Sequence, residues 1–191
     1  MDRERDRIRV LEGTIQVFNR KGLKFTMADI ASQVGMSKKT LYVLFADKED
    51  LLLSMVDYCF ASIKQAEEAV LADPSLDTPE RLKRVLGVLP EVYDSIDLTR
   101  LSELEARFPR VYGRVRERLE NDWEGTISLM EQGMKEGLIR PVSIPIFKLM
   151  FESALERFFQ KEALREAGLN YRQGLEEVVG ILVEGIRIRE P

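Results

Sequence analysis

A cluster of hydrogen-bond donors lies near the N-terminus and comprises Ser37, Lys38, Lys39, Thr40 and Tyr42. Basic and hydroxyl side chains of this kind bind anions and the edges of bases. The chain has no histidine and one cysteine. This composition excludes Ser–His–Asp and Cys–His triads, imidazole general bases and zinc sites built from histidines or several cysteines. We therefore expect a binding protein without enzyme activity, with no catalytic residue, metal site or cofactor.

Residues 26–45 place the donors on the second helix of a predicted helix-turn-helix. Thr26 and Asp29 form the pattern of a capping box that begins the first helix. Gly35 permits a left-handed turn, and Ser37 caps the next helix. The outer face of that helix is then free to enter a major groove, with its N-terminal residues nearest the base edges.

Charge is unevenly distributed along the 191 residues. Residues 1–46 contain nine basic and five acidic side chains, whereas the whole chain contains 29 and 33. A basic head on an acidic body suggests that the head binds an anion, with nucleic acid the usual candidate. The alternative is a solvated surface on which positive charges happen to cluster.

The segment from Thr26 to Leu51 closely resembles the N-terminal domain of TetR-type transcriptional regulators. The elements Thr-x-x-x-Ile-Ala, Gly-x-Ser-x-x-Thr-Leu-Tyr, Phe and Lys-Glu-x-Leu occur in order and at the spacing of that family. Leu44 departs from the pattern, because many relatives carry His or Tyr there. This residue either loses one phosphate contact or touches a thymine methyl group. The resemblance implies that double-stranded DNA is contacted by Thr26, Ser37, Lys38, Lys39, Thr40, Tyr42 and Lys48.

Periodicity along the remainder predicts further helices over about 47–71, 79–89, 91–106, 109–137, 144–166 and 171–188. The fold class is therefore all-α, with about nine helices. We expect a three-helix helix-turn-helix DNA-binding domain over residues 1–46 and an effector-binding and dimerisation domain over 47–191. No apolar run is long enough to cross a membrane and the N-terminus lacks a signal-peptide pattern, so we expect a cytoplasmic protein without a membrane partner.

The predicted helices 144–166 and 171–188 are rich in apolar residues, and the latter is apolar nearly all round. Such a helix must be buried on two sides, most simply against a second subunit; the alternative is a monomer that buries both faces. We expect a four-helix bundle in a homodimer, as in the family. The residues expected at this interface are Phe158, Phe159, Leu175, Val178, Val179, Leu182 and Ile186.

Methionine and aromatic side chains of the C-terminal body could line an effector cavity, although such residues are more often ordinary core. Asp94, Asp97 and Glu103 either face a cationic ligand or, as we expect, solvent. The effector itself, a small molecule, is not identified by the sequence. The candidate ligand-binding residues are Tyr93, Phe108, Trp123, Met130, Met134, Phe147, Met150 and Phe151.

The resemblance implies a ligand-responsive regulator, most simply a repressor that a small-molecule effector releases from a palindromic operator. An activator with the same head is possible. The alternative function is a helical ligand-binding or scaffold dimer whose head no longer binds DNA.

Overall fold

A computed structural model describes residues 3–90, 93 and 101–189. This part of the chain is all-α, as predicted, with one isolated antiparallel bridge between Ile139 and Arg187. None of its helices is long and apolar enough to cross a membrane. The helices are α1 (Arg3–Lys21), α2 (Met27–Val34), α3 (Lys38–Leu44), α4 (Lys48–Leu71), α5 (Thr78–Leu86), α6 (Ser102–Arg107), α7 (Pro109–Glu120), α8 (Glu124–Glu136), α9 (Ile144–Phe158), α10 (Lys161–Glu166) and α11 (Tyr171–Glu184).

Two predicted helices are each divided in the structure. The stretch 109–137 breaks between α7 and α8, where Asp122 adopts a left-handed φ of 64° that no α-helix contains. The stretch 144–166 breaks after Phe158, before α10. Most of the predicted helix 91–106, with Asp94 and Asp97, lies outside the described residues. Glu103 is exposed, as we expected.

Helices α1–α3 form the head, and local sequence explains where each begins and ends. Thr26 and Asp29 make the predicted reciprocal capping box, and Gly35 ends α2 with a left-handed φ of 64°. Ser37 caps α3 by accepting a hydrogen bond from the Thr40 amide at 3.0 Å. Buried apolar residues hold the three helices together, because each fully buried Leu, Ile or Phe contributes about 1.5–3 kcal/mol. Those with no or almost no exposed surface include Ile30, Leu41 and Phe45.

Helices α1 and α2 approach closely at Gly13, and this contact gives a stability prediction. A Cβ at Gly13 would lie 2.4 Å from Cγ1 of Val34, a β-branched side chain with little freedom to move. Gly13→Ala should therefore lower the free energy of unfolding by about 1–3 kcal/mol despite the better helix propensity of alanine. Chemical denaturation measures the change.

The double variant Gly13→Ala, Val34→Ala is the matched test, since it removes the methyl group that the new Cβ meets. It should be less destabilised than the sum of the two single variants. A strictly additive double variant would show that the contact at Gly13 is not the cause.

Helix α4 joins the head to the other helices. Its first turns belong to the same hydrophobic core as α1–α3, and Leu51 and Leu52 are fully buried there. The same core continues into α7 through Val111 and Val115, while a second core joins α5, α8, α9 and α11. Helices α4 and α7 therefore share packed side chains with the head.

Candidate nucleic-acid interface and internal cavity

The outer face of α3 presents the side chains predicted to bind DNA. Lys38, Lys39 and Tyr42 are exposed, and Tyr42 retains 51% of its accessible surface. The opposite face is held in the core by Leu41 and Leu44. Because α3 is short and rigidly packed, its outer face is a preformed surface of donors.

The alternative that Leu44 touches a thymine methyl group is wrong, because Leu44 is buried. Leu44 follows Leu41 by three residues, on the same inward face of α3, and only 7% of its surface is exposed. Its neighbour Val43 lies on the outer face instead, with 63% of its surface exposed. Val43 was not among the residues predicted to contact DNA, because the family pattern places a backbone contact at the next position, Leu44.

The three aliphatic hydroxyl side chains that are proposed as DNA ligands, those of Thr26, Ser37 and Thr40, make hydrogen bonds at helix caps. Oγ of Ser37 lies 2.9 Å from Oγ1 of Thr40, and Oγ1 of Thr26 donates to the Asp29 carboxylate at 3.0 Å. Hydrogen bonds from Lys21 and from Thr26 lower the pKa of Asp29 to about 2. The carboxylate beside Thr26 is therefore ionised at neutral pH, and Lys21, 2.7 Å away, offsets its repulsion of a phosphate.

Lys48 is engaged within the protein. Its Nζ donates to the carbonyl oxygens of Leu23 at 2.8 Å and Phe25 at 2.5 Å, and lies 4.0 Å from the centroid of the Phe25 ring. Burial lowers the pKa of Lys48. This side chain ties the start of α4 to the connection between α1 and α2. Two of the three N–H donors of the ammonium are used by these carbonyls, which leaves one for the phosphate contact that the family resemblance implies.

Two arginines of α1 bind the C-terminal ends of α3 and α2. Arg7 Nη1 donates to the carbonyl of Leu44 at 2.6 Å, and the guanidinium of Arg9 donates to the carbonyl of Val34. These carbonyls lie at the C-terminal ends of α3 and α2, where a positive charge is favourable. The last turns of α2 and α3 contain no basic residue of their own. This absence was the sequence signal that a basic residue from another helix binds these carbonyls.

A cavity of about 190 Å³ lies among the helices of the C-terminal body. Of the eight candidate ligand-binding residues, Tyr93, Trp123 and Phe151 line it. Met130 and Phe147 are buried in the second core and Met134 packs against it, away from the cavity lining.

Two further candidates also lie away from the cavity lining. Phe108 packs against the core of the head, with its ring centroid 5.6 Å from Nζ of Lys48. Met150 points outward, with 54% of its surface exposed. The helical pattern that suggested Met150 therefore described the outer face of α9.

Helix α4 supplies a cavity wall that sequence reasoning missed. Met55, Cys59, Phe60 and Ile63 lie at helical spacing along it, and this stripe was the available signal. Phe18 of α1 also lines the cavity, so one side chain of the head faces the ligand space directly. Burial raises the pKa of the Cys59 thiol to about 11, which makes this cysteine an apolar lining group at neutral pH.

Polar groups near the cavity are largely paired with one another. Lys64 contacts Glu67 at 2.7 Å, and Arg118 contacts Asp57 at 2.8 Å. Tyr171 lines the cavity in a stack with Phe159, and burial raises the pKa of its hydroxyl. The arrangement is suited to an apolar ligand that carries few polar groups.

Of the seven residues predicted at the dimer interface, four are buried within the protomer and three are partly buried. Phe159, Leu175, Val179 and Ile186 are buried within one chain, so a partner cannot reach them. This corrects their assignment to an interface. The remaining three are partly buried and pack against the second core: Phe158, Val178 and Leu182.

Other side chains of the same helices face outward instead. Four exposed apolar residues, which we call the α9–α11 patch, lie on two helices that pack against each other. Ile181 is the most exposed of them, at 69%. The patch consists of Ile146, Leu149, Met150 and Ile181.

Comparison with known proteins agrees with this architecture. Residues 10–55 match the family model described as bacterial regulatory proteins, tetR family. An uncharacterized HTH-type transcriptional regulator, YvaF of Bacillus subtilis (strain 168), is 26% identical over 182 residues, which cover 95% of this chain and 96% of YvaF.

Solved structures of similar fold include the transcriptional regulator FadR from Bacillus subtilis in complex with stearoyl-CoA. Its TM-score is 0.69 at 19% identity, covering 94% of this chain and 99% of FadR. The fatty acid degradation regulator FadR from Bacillus halodurans has a TM-score of 0.71 at 18% identity, covering 96% of this chain and 97% of that one.

The tetR-family model covers residues 10–55, so this segment is similar to the helix-turn-helix part of those regulators, and the likeness to the two FadR structures shows that the chain shares their fold.

Proposed function

We propose that this protein is a homodimeric repressor that binds a palindromic operator and is released by a small apolar effector. The observation that carries the proposal is the preformed donor face of α3, on which Lys38, Lys39 and Tyr42 project from a packed head. We propose that Lys38 and Lys39 read base edges, that Tyr42 and Lys48 contact phosphate, and that Thr26, Ser37 and Thr40 add backbone or base contacts.

The α9–α11 patch supports the dimer. Exposed apolar side chains on two adjacent helices favour association with a second copy through a four-helix bundle. A twofold axis then presents two reading helices to successive major grooves, roughly 34 Å apart.

The cavity supports regulation by a ligand. Its volume of about 190 Å³ lies below the ~300–1,000 Å³ of typical small-molecule sites, which favours a slender apolar molecule. FadR of Bacillus subtilis was solved with stearoyl-CoA, so long-chain acyl compounds are the first effectors to screen. Because Phe18 and Met55 belong to both the cavity wall and the core of the head, occupancy can shift the head relative to α4.

We propose residues 1–46 as the DNA-binding domain and 47–191 as the effector and dimerisation domain, with the first turns of α4 packed onto the head. The proposed place of action is the cytoplasm, where an operator would be accessible.

Selection of bound duplexes from a random DNA pool tests this function. We expect an inverted repeat, with an affinity that falls steeply as salt rises, at a log–log slope of about −0.9 per phosphate contact. A flat salt response without any selected sequence would overturn the proposal. It would favour a ligand-binding dimer whose head does not bind DNA.

Filling the cavity should separate ligand response from DNA binding. Cys59→Phe places one ring in part of the space that the ligand would occupy. Because this ring is smaller than the effector proposed to shift the head, we expect operator affinity within about twofold of the parent and effector affinity lowered at least tenfold. Ala61→Phe is the matched control, because residue 61 lies on the same helix but is exposed. Titration of the effector against the operator complex measures both quantities, and an unchanged response in Cys59→Phe would place the ligand elsewhere.

A further inference from the structure

Val43 stands out on the donor face of α3 because nothing in the protomer explains its exposure. Among the larger apolar side chains of the described head it is the most exposed, at 63%. A β-branched residue is a poorer helix former than alanine, and an exposed one gains no burial in return. A contact outside the protomer would offset this cost.

The position of Val43 restricts what that contact can be. Val43 follows Lys39 by one helical turn, so a donor predicted to bind DNA lies beside it on the same face of α3. A surface mixed in this way fits a major groove better than the apolar face of another protein. Within that groove the one apolar group at a base edge is the C5-methyl of thymine.

We infer that Val43 is a specificity-determining residue that packs against a thymine methyl group in each operator half-site. This inference rests on the proposed operator binding and deepens it by naming a base. The rigid χ1 of valine in a helix means that little side-chain freedom is lost on contact.

The geometry also predicts where the thymine lies. Four residues of α-helix rise about 6 Å, and base pairs are stacked about 3.4 Å apart. Because the recognition helix follows the groove and not the DNA axis, the thymine is about one or two base pairs from the base pair that Lys39 reads. Its position can be compared with the positions at which Lys39→Ala relaxes sequence preference.

Deoxyuridine provides a test that leaves the protein unaltered, because it differs from thymidine only by the methyl group. In the duplex selected from random DNA, each thymine is replaced in turn by uracil. We expect one position per half-site at which affinity falls about fourfold, the effect of losing one buried methyl group. Replacement at thymines outside the half-sites should have no effect and serves as the control.

Val43→Ala links the effect to the side chain. This variant should bind the thymine and uracil duplexes equally, whereas Lys39→Ala should keep the fourfold difference. A selected duplex that binds tightly but shows no uracil-sensitive position would overturn the inference while leaving the proposed function intact. Failure to select any duplex would instead overturn the proposed function.

Discussion

Replacing Leu149 and Ile181 together by glutamate is expected to convert the protein into monomers and to lower operator affinity at least 100-fold. Both side chains belong to the exposed α9–α11 patch, so the protomer should fold normally. In the proposed dimer the new carboxylates would be buried without partners, which costs several kcal/mol. Each head would then bind its half-site alone and lose the ~10²–10⁴-fold gain of linked binding.

Sedimentation and fluorescence anisotropy with a labelled operator measure the two effects. Ser128→Glu, which adds a carboxylate at an exposed position of α8, is the control and should remain dimeric. A dimeric Leu149→Glu, Ile181→Glu variant with full affinity would show that subunits associate through a different surface.

Alanine at both Lys38 and Lys39 is expected to lower operator affinity about 100-fold or more while leaving the fold intact. Each specific base contact contributes about 1–3 kcal/mol, and twofold symmetry doubles the loss. Affinity for random DNA should fall less, because only the electrostatic part is lost there. Binding isotherms on operator and random duplexes over a range of salt concentrations provide the comparison.

Lys135→Ala is the control, because it removes a positive charge from an exposed position of α8 outside the head. It should leave the affinities for operator and for random DNA nearly unchanged. If the double lysine variant weakened both duplexes by the same factor, the two lysines would be phosphate contacts only. Tyr42→Phe should behave in that uniform way, since a tyrosine on the backbone carries no sequence information.

Local sequence was enough to predict the helix ends of the head. The caps at Thr26 and Ser37 depend on residues at most three positions away, and both are present in the structure. The left-handed Gly35 is equally local. Such features are readable because a capping side chain satisfies a backbone amide of its own helix.

Features that depend on distant packing were not readable from sequence. The stretch 178–183 of α11 contains no charged residue, so its pattern could not show that Val179 faces the protomer core while Ile181 faces solvent. The break at Asp122 requires a left-handed backbone conformation. Aspartate tolerates this conformation, but the presence of an aspartate does not predict it. The bonds from Lys48 to two carbonyls join residues more than twenty positions apart, and no local rule predicts them.

The presence of Phe18 in the cavity wall has a thermodynamic consequence. One residue of the head faces the cavity, so in the proposed regulator the affinities for DNA and for an effector would be coupled through a shared conformational equilibrium. Coupling of this kind is reciprocal. The operator must lower the affinity for the effector by the same factor by which the effector lowers the affinity for the operator. A promoter that holds the protein tightly would therefore need a higher effector concentration for release than a promoter that holds it loosely.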